Sequence, residues 1–293
     1  MRYALWIVVP LLAMSSNLAR GDAPADILSK APSKFAKLGD LKVHYKSLGD
    51  GKTAVVFIHG WCCDHTVWRE QAPAFDGKVR MLFVDLPGYG KSDAPKENCT
   101  IALFAKGVNA VLQDAGIDQA VLAGHSMGTP VVREFYRLYP GKAKALIFVD
   151  GALRPFSKDP KVIEQITSMF KEENFKETAP KFLSGMLGPN TPKAVKEQIE
   201  QLVANTNPRV AVSSMHGMLD EKLWKDDPVK VPAQAIMAKS PFWTAEYKEF
   251  AKKLVPDLDY REFEGTGHFL FMEKPDDVNK AMGEFLKKQG LLK

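Results

Sequence analysis

Five residues, Gly124-His125-Ser126-Met127-Gly128, follow directly on the apolar run Gln119-Ala120-Val121-Leu122-Ala123 and precede a helix-like stretch from Thr129 to Tyr139. A buried strand, a tight turn and a helix in immediate succession leave few architectures open. The strand must lie inside a sheet, with the helix packed back against it. A serine at the tip of such a turn is held in a strained conformation that lifts its hydroxyl above the sheet. The flanking glycines are needed because a side chain at either position would crowd strand and helix. Ser126 is the candidate nucleophile.

A serine hydroxyl is a poor nucleophile near neutral pH and needs a base. The histidines are His44, His59, His65, His125, His216 and His268. His268 stands apart because Gly265-Thr266-Gly267-His268-Phe269 comes right after the strand-like Asp259–Phe263. A loop at that strand end can swing an imidazole over Ser126, and the order serine then histidine fits. His125, inside the turn, reads as a brace rather than a base. An acyl-transfer oxyanion also needs preorganised N–H donors. One is the backbone N–H of Met127. The other is that of Trp61, on the loop His59-Gly60-Trp61-Cys62 that leaves the buried strand Thr53–Ile58. His59 is expected to hydrogen-bond that loop into shape.

Taken together, His59-Gly60-Trp61, Asp85-Leu86-Pro87-Gly88-Tyr89-Gly90-Lys91-Ser92, Gly124–Gly128 and Gly267-His268 resemble, in order and spacing, the motifs of the α/β-hydrolase fold over roughly residues 35–290. The resemblance implies an α/β architecture: an eight-stranded, mostly parallel sheet flanked by helices, with an inserted cap over the site. Esterases, lipases, lactonases, C–C bond hydrolases, cofactor-free haloperoxidases and a few lyases belong to that fold. Epoxide hydrolases and haloalkane dehalogenases resemble it too but carry Asp where this chain has Ser126.

The acid is not where the family usually keeps it. After the strand Val231–Ala238 the chain reads Lys239-Ser240-Pro241-Phe242-Trp243, with no carboxylate. Some relatives place the acid at the end of the strand preceding the cap, and here Ala145–Val149 ends in Asp150-Gly151. The resemblance therefore assigns Asp150, with Glu246 as the runner-up and a Ser–His dyad without an acid as a third possibility. Asp257 and Asp259 sit at the wrong end of the sheet.

Between Asp150 and Val231 the strand–helix alternation stops. Periodicity predicts amphipathic helices over Lys161–Lys171, Lys176–Met186, Lys193–Ala204 and Arg209–Leu219, too long a stretch for a plain connection. The expected organisation is a core from 22–152 and 229–293 with a helical cap at 153–228. The cap's Met, Phe and Leu residues point to an apolar acyl or aryl pocket. Trp61, Phe242, Trp243, Phe269 and Phe271 are candidate aromatic walls.

The first residues fit a secretory signal peptide over 1–21: Arg2, an apolar run from Ala4 to Met14, and Ala19-Arg20-Gly21 as a small-x-small cleavage site. The run is short for a bilayer span, so the expected product is exported without a stable membrane span. Cleavage removes Arg2 and Arg20, lowering the formal charge from +5 to +3. The lysines are scattered, without a dense basic run, which speaks against nucleic acid as a partner. Export places Cys62, Cys63 and Cys99 in an oxidising setting, and in this fold both loops emerge near the site. A disulfide from Cys99 to Cys63 or Cys62 is the resulting expectation. No paired His/Cys spacing points to a metal, and no cofactor is implied.

The sequence is accordingly read as an exported serine hydrolase that cleaves a small, apolar carboxylic ester, or a lactone or amide, through an acyl-enzyme on Ser126. Two other readings stay open: the same scaffold as a cofactor-free haloperoxidase, perhydrolase or lyase, and a ligand-binding relative without catalysis.

Overall fold

The computed structural model describes residues 26–292, so the segment 1–21 read as a signal peptide lies outside the described residues. Eight strands form one sheet in the order β1-β2-β4-β3-β5-β6-β7-β8. They are β1 (Ser33–Leu38), β2 (Leu41–Leu48), β3 (Thr53–Ile58), β4 (Arg80–Val84), β5 (Gln119–His125), β6 (Ala143–Val149), β7 (Ala233–Ala238) and β8 (Asp259–Phe263). β2 runs antiparallel to both β1 and β4, and every other pairing is parallel. The central strands are buried almost end to end, which is why they read as continuous apolar runs rather than alternating ones.

Short helices α1 (Ile27–Lys30) and α2 (Ala72–Phe75) precede the two long ones that follow β4 and β5, α3 (Ile101–Asp114) and α4 (Gly128–Leu138). α3 and α4 pack on each other, and α4 packs on β5 and β6. Thr100 caps α3 by accepting from the Leu103 N–H.

Four helices lie between β6 and β7: α5 (Pro160–Met169), α6 (Phe175–Ser184), α7 (Lys193–Asn205) and α8 (Pro208–Leu219). Their bounds fall within a few residues of the periodicity reading. Asp159 before Pro160 and Asn207 before Pro208 explain two of the starts. Each polar side chain accepts from the first turn's N–H groups, and proline at the first position loses no needed donor. α8 is seated on the core, whereas α5 has no fully buried residue. A Cβ at Gly88 would come within 2.7 Å of Val210, and one at Gly217 within 2.8 Å of the Cys99 carbonyl. The chain closes with α9 (Ala245–Leu254), a short turn of helix α10 (Leu270–Glu273) and α11 (Pro275–Lys288).

The expected disulfide is not formed: Cys62, Cys63 and Cys99 are free and buried. The two loops reach the insertion helices rather than each other. The Cys62 thiol meets Thr206, and that of Cys99 meets Ser213 and Ser214 of α8. Burial pushes all three thiols up, away from the reactive thiolate. Among the described residues no helix is long and apolar enough to cross a membrane.

Candidate active site

The register of the parallel strands sets the site. Ile58 of β3 pairs with Gly124 of β5, His125 with Val149 of β6, and Val149 with Ile236 of β7. The residues that follow these strands therefore emerge side by side along one sheet edge. Ser126 N–H donates to the Val149 carbonyl at 3.0 Å, and Asp150 N–H to that of Ile236 at 2.9 Å. Both residues then leave the ladder through left-handed backbone, Ser126 at φ +53° and Asp150 at φ +42°. Such conformations are costly for residues with a Cβ and persist only where the surroundings impose them.

The glycines around Ser126 are required by close approach. A Cβ on Gly124 would lie 2.3 Å from the Gly128 carbonyl oxygen, and one on Gly128 would lie 2.5 Å from that of Ile58. Gly151, after Asp150, would put its Cβ 2.0 Å from Thr129 Oγ1. Strand and helix thus meet at van der Waals distance on both sides of the two strained residues.

His268 and Asp150 are joined: Nδ1 lies 2.6 Å from Oδ2. An ionised carboxylate only accepts, so the proton sits on Nδ1 and the Nε2 lone pair is left available. The other oxygen, Oδ1, accepts from the backbone N–H of Ala238 at 2.9 Å and the indole N–H of Trp243 at 3.0 Å. The end of β7 and the loop after it, which lacks the expected carboxylate, therefore supply donors to a carboxylate at the tip of β6. Glu246 is turned outward to Arg154 with its side chain 80% exposed. Asp259, at the start of β8, is spent on Arg261 and Gln234.

His125 does brace the turn, though by a bond that sequence reasoning did not find. Its Nε2–H donates to the His268 carbonyl at 2.9 Å. Burial, reinforced by the neighbouring His268, holds this imidazole well below the usual histidine range, so it is neutral. His59 accepts the Leu86 N–H at Nε2 (3.0 Å) and donates from Nδ1 to the Gly60 carbonyl (2.8 Å), fixing the loop after β3. Gly60 runs against the nucleophile, since a Cβ there would lie 3.0 Å from Ser126 Cβ. Among the described residues, the backbone N–H groups of Trp61 and Met127 donate to no protein acceptor.

The aromatic candidates part ways. The Trp61 indole N–H donates to the Ala211 carbonyl of α8 at 2.7 Å, and its ring meets Phe170, Phe175 and Phe182 edge-on at 5.0, 5.9 and 6.0 Å. Phe269 and Phe271 are buried against His125, beneath the turn. Phe242 is 82% exposed and forms no wall.

His44, His65 and Asp85 are close enough together to hold a metal ion. The donor set does not fit one. Both Nδ1 atoms point at the carboxylate (2.7 and 2.8 Å), which also accepts the His65 and Lys91 backbone N–H groups. Every lone pair of Asp85 is used, and the group ties β2 and β4 to the loop after β3, with His44 Nε2 buried and without a partner among the described residues.

Residues 53–275 match the family model described as alpha/beta hydrolase fold, and the chain belongs to that family. It is 27% identical to the AB hydrolase superfamily protein YisY of Bacillus subtilis (strain 168), over 82% of this chain and 93% of that protein. It is 24% identical to bifunctional epoxide hydrolase 2 of Rattus norvegicus over 84% of this chain, which spans 54% of that longer protein. Among solved structures, an esterase from Exiguobacterium antarcticum superposes with a TM-score of 0.77 at 20% identity, covering 87% of this chain and 100% of that one.

Proposed function

We propose that this α/β-hydrolase is a serine esterase acting on small carboxylic esters with apolar acyl or aryl groups, with lactones and amides as lesser substrates. The observation that carries the reading is the 2.6 Å contact between His268 Nδ1 and Asp150 Oδ2 beside a serine held at φ +53°. A serine, rather than a carboxylate, at this turn favours an acyl-enzyme over the alkyl-enzyme chemistry of epoxide opening.

In the proposed cycle His268 Nε2 takes the Ser126 hydroxyl proton as Oγ attacks the ester carbonyl. The Trp61 and Met127 N–H groups receive the developing oxyanion, each such donor being worth on the order of a hundred- to a thousandfold in rate. Asp150 holds the imidazole in the required tautomer and stabilises its charged form. The imidazolium then protonates the departing alkoxide, and water repeats the relay to release the acid. Trp61 packs edge-on with Phe170 and Phe175 in the buried core and with the half-buried Phe182 against it, so the apolar acyl or aryl preference rests on the Met, Phe and Leu content of the insertion.

The test is hydrolysis of a p-nitrophenyl ester series, with fluorophosphonate labelling in parallel. Activity and labelling that both vanish in Ser126→Ala support the reading. A labelled enzyme with no esterase activity, or with perhydrolysis of acetate exceeding hydrolysis, moves the substrate class elsewhere on the same nucleophile. Failure to label points to a binding role. Export is part of the proposal, and an intact residue 1 on protein recovered outside the cytoplasm would contradict cleavage near Gly21.

A further inference from the structure

The loop that carries His268 is gripped by the insertion as well as by the sheet. Its backbone runs against the segment Met186–Thr191, which links α6 to α7. His268 N–H donates to the Met186 carbonyl at 2.8 Å. A Cβ on Gly267 would lie 2.1 Å from Gly188 N, and one on Gly188 would lie 2.5 Å from Gly267 N. Two backbones meet with no side chain between them, and both glycines are dictated by that approach.

Glu273, the last residue of α10, closes the contact. Oε2 accepts the Gly267 N–H at 2.7 Å, while Oε1 accepts the Thr191 hydroxyl at 2.8 Å and the Gly188 N–H at 3.4 Å. One oxygen therefore holds the residue before the histidine, and the other holds the insertion. All of these donors are uncharged, so the carboxylate is engaged by geometry rather than by an ion pair. Thr191 is itself buried, and its backbone N–H donates to the Gly188 carbonyl at 3.2 Å, which makes the insertion side of the contact a turn.

We propose that Glu273 is a positioning residue that locks the His268 loop to the insertion, so that the base is in register with Ser126 only while segment 186–191 is docked. The inference rests on the proposed role of His268 as base. Movement of the insertion, as for substrate entry, then disengages the histidine, and its return restores it. A misplacement of about 1 Å at a catalytic group costs on the order of a hundredfold in rate, which sets the size of the expected effect.

The experiment compares wild type, Glu273→Gln and Thr191→Val as full-length proteins. Fluorophosphonate labelling of Ser126 is measured as a maximal rate and a half-saturating concentration. Amide hydrogen exchange is followed over 186–191 and 264–269. In Glu273→Gln an NH2 group replaces one acceptor and faces N–H or O–H donors. Its maximal labelling rate is expected to fall between about ten- and a hundredfold, with the half-saturating concentration unchanged. Exchange should rise in both segments together. Thr191→Val, altered only on the insertion side, should slow labelling in the same direction. Labelling at the wild-type rate by folded but less stable variants would make Glu273 merely structural and overturn the proposal. So would exchange that rises in one segment alone. If wild type itself does not label, the serine reading fails, and the exchange data still decide the lock: joint loosening upholds it and separate loosening refutes it.

Discussion

Trp243 and Asp150 are 93 residues apart in sequence, yet the indole N–H of one donates to Oδ1 of the other at 3.0 Å. The Ala238 N–H donates to the same oxygen, leaving Oδ2 for His268. A carboxylate at the tip of β6 is thus oriented by donors from the end of β7 and from the loop after it. Replacing Trp243 by Phe keeps most of the ring and removes one of two donors from Oδ1. A hydrogen bond to a charged group is worth roughly 1.5–3 kcal/mol, of which the Ala238 N–H retains a part. We expect kcat on an ester substrate to fall about tenfold with KM little changed. A fall in KM-dependent binding alone would place Trp243 in substrate recognition instead.

Asp150→Asn should be far more damaging, and the same donors explain why. Two N–H groups at Oδ1 force the asparagine carbonyl to that side and turn its NH2 toward His268 Nδ1. Nδ1 must then accept, the proton moves to Nε2, and the base is lost. A wrong tautomer of this kind costs about ten-thousandfold in kcat in the serine-protease triad. Steady-state kinetics should show a loss of roughly a thousandfold or more while the protein stays folded. Undiminished turnover would remove Asp150 from the mechanism.

Those two residues mark the boundary of what the sequence makes legible. A strand such as Thr53–Ile58 is visible with its observed bounds because a two-sided buried sheet demands an unbroken apolar run. Ser126 and His268 stand out because the close approaches around them demand glycine, and glycine is readable. Asp150 emerges only by resemblance, since one Asp before a Gly at a strand end is also ordinary turn chemistry. Trp243, Glu273 and the His125–His268 bond have no period or motif of their own. They are contacts between distant segments, set by how the strand ends and the insertion are brought together. The cysteines misled for the same reason: adjacency near the site is legible, but which neighbour each thiol faces is not.

Asp85 offers a stability prediction. Burial alone would raise its pKa, but hydrogen bonds from His44 and His65 outweigh that and hold the carboxyl well below the usual carboxylate range. A group depressed in the folded state contributes stability above its unfolded pKa, about 3.9, and loses it as pH falls below that value. Asp85→Asn leaves buried donors facing an amide and should cost roughly 3 kcal/mol at neutral pH. Urea midpoints should show this gap narrowing below about pH 4. A gap that is constant with pH would mean that the charge of Asp85 contributes nothing.

His59 and His125 place a second limb at higher pH. Burial is the main cause in both, and both pKa values lie below the ordinary histidine value. The unfolded chain therefore takes up protons that the folded one refuses, and stability must decline as pH falls through about 6.5. His125→Gln removes one of these titrations while its amide can still donate to the His268 carbonyl. Compared with wild type, this variant should lose less stability between about pH 7 and pH 5, even if it starts lower. Urea unfolding at closely spaced pH values reads the slope directly. An unchanged slope would mean that His125 titrates alike in both states, contrary to the neutral imidazole that its burial beside His268 favours.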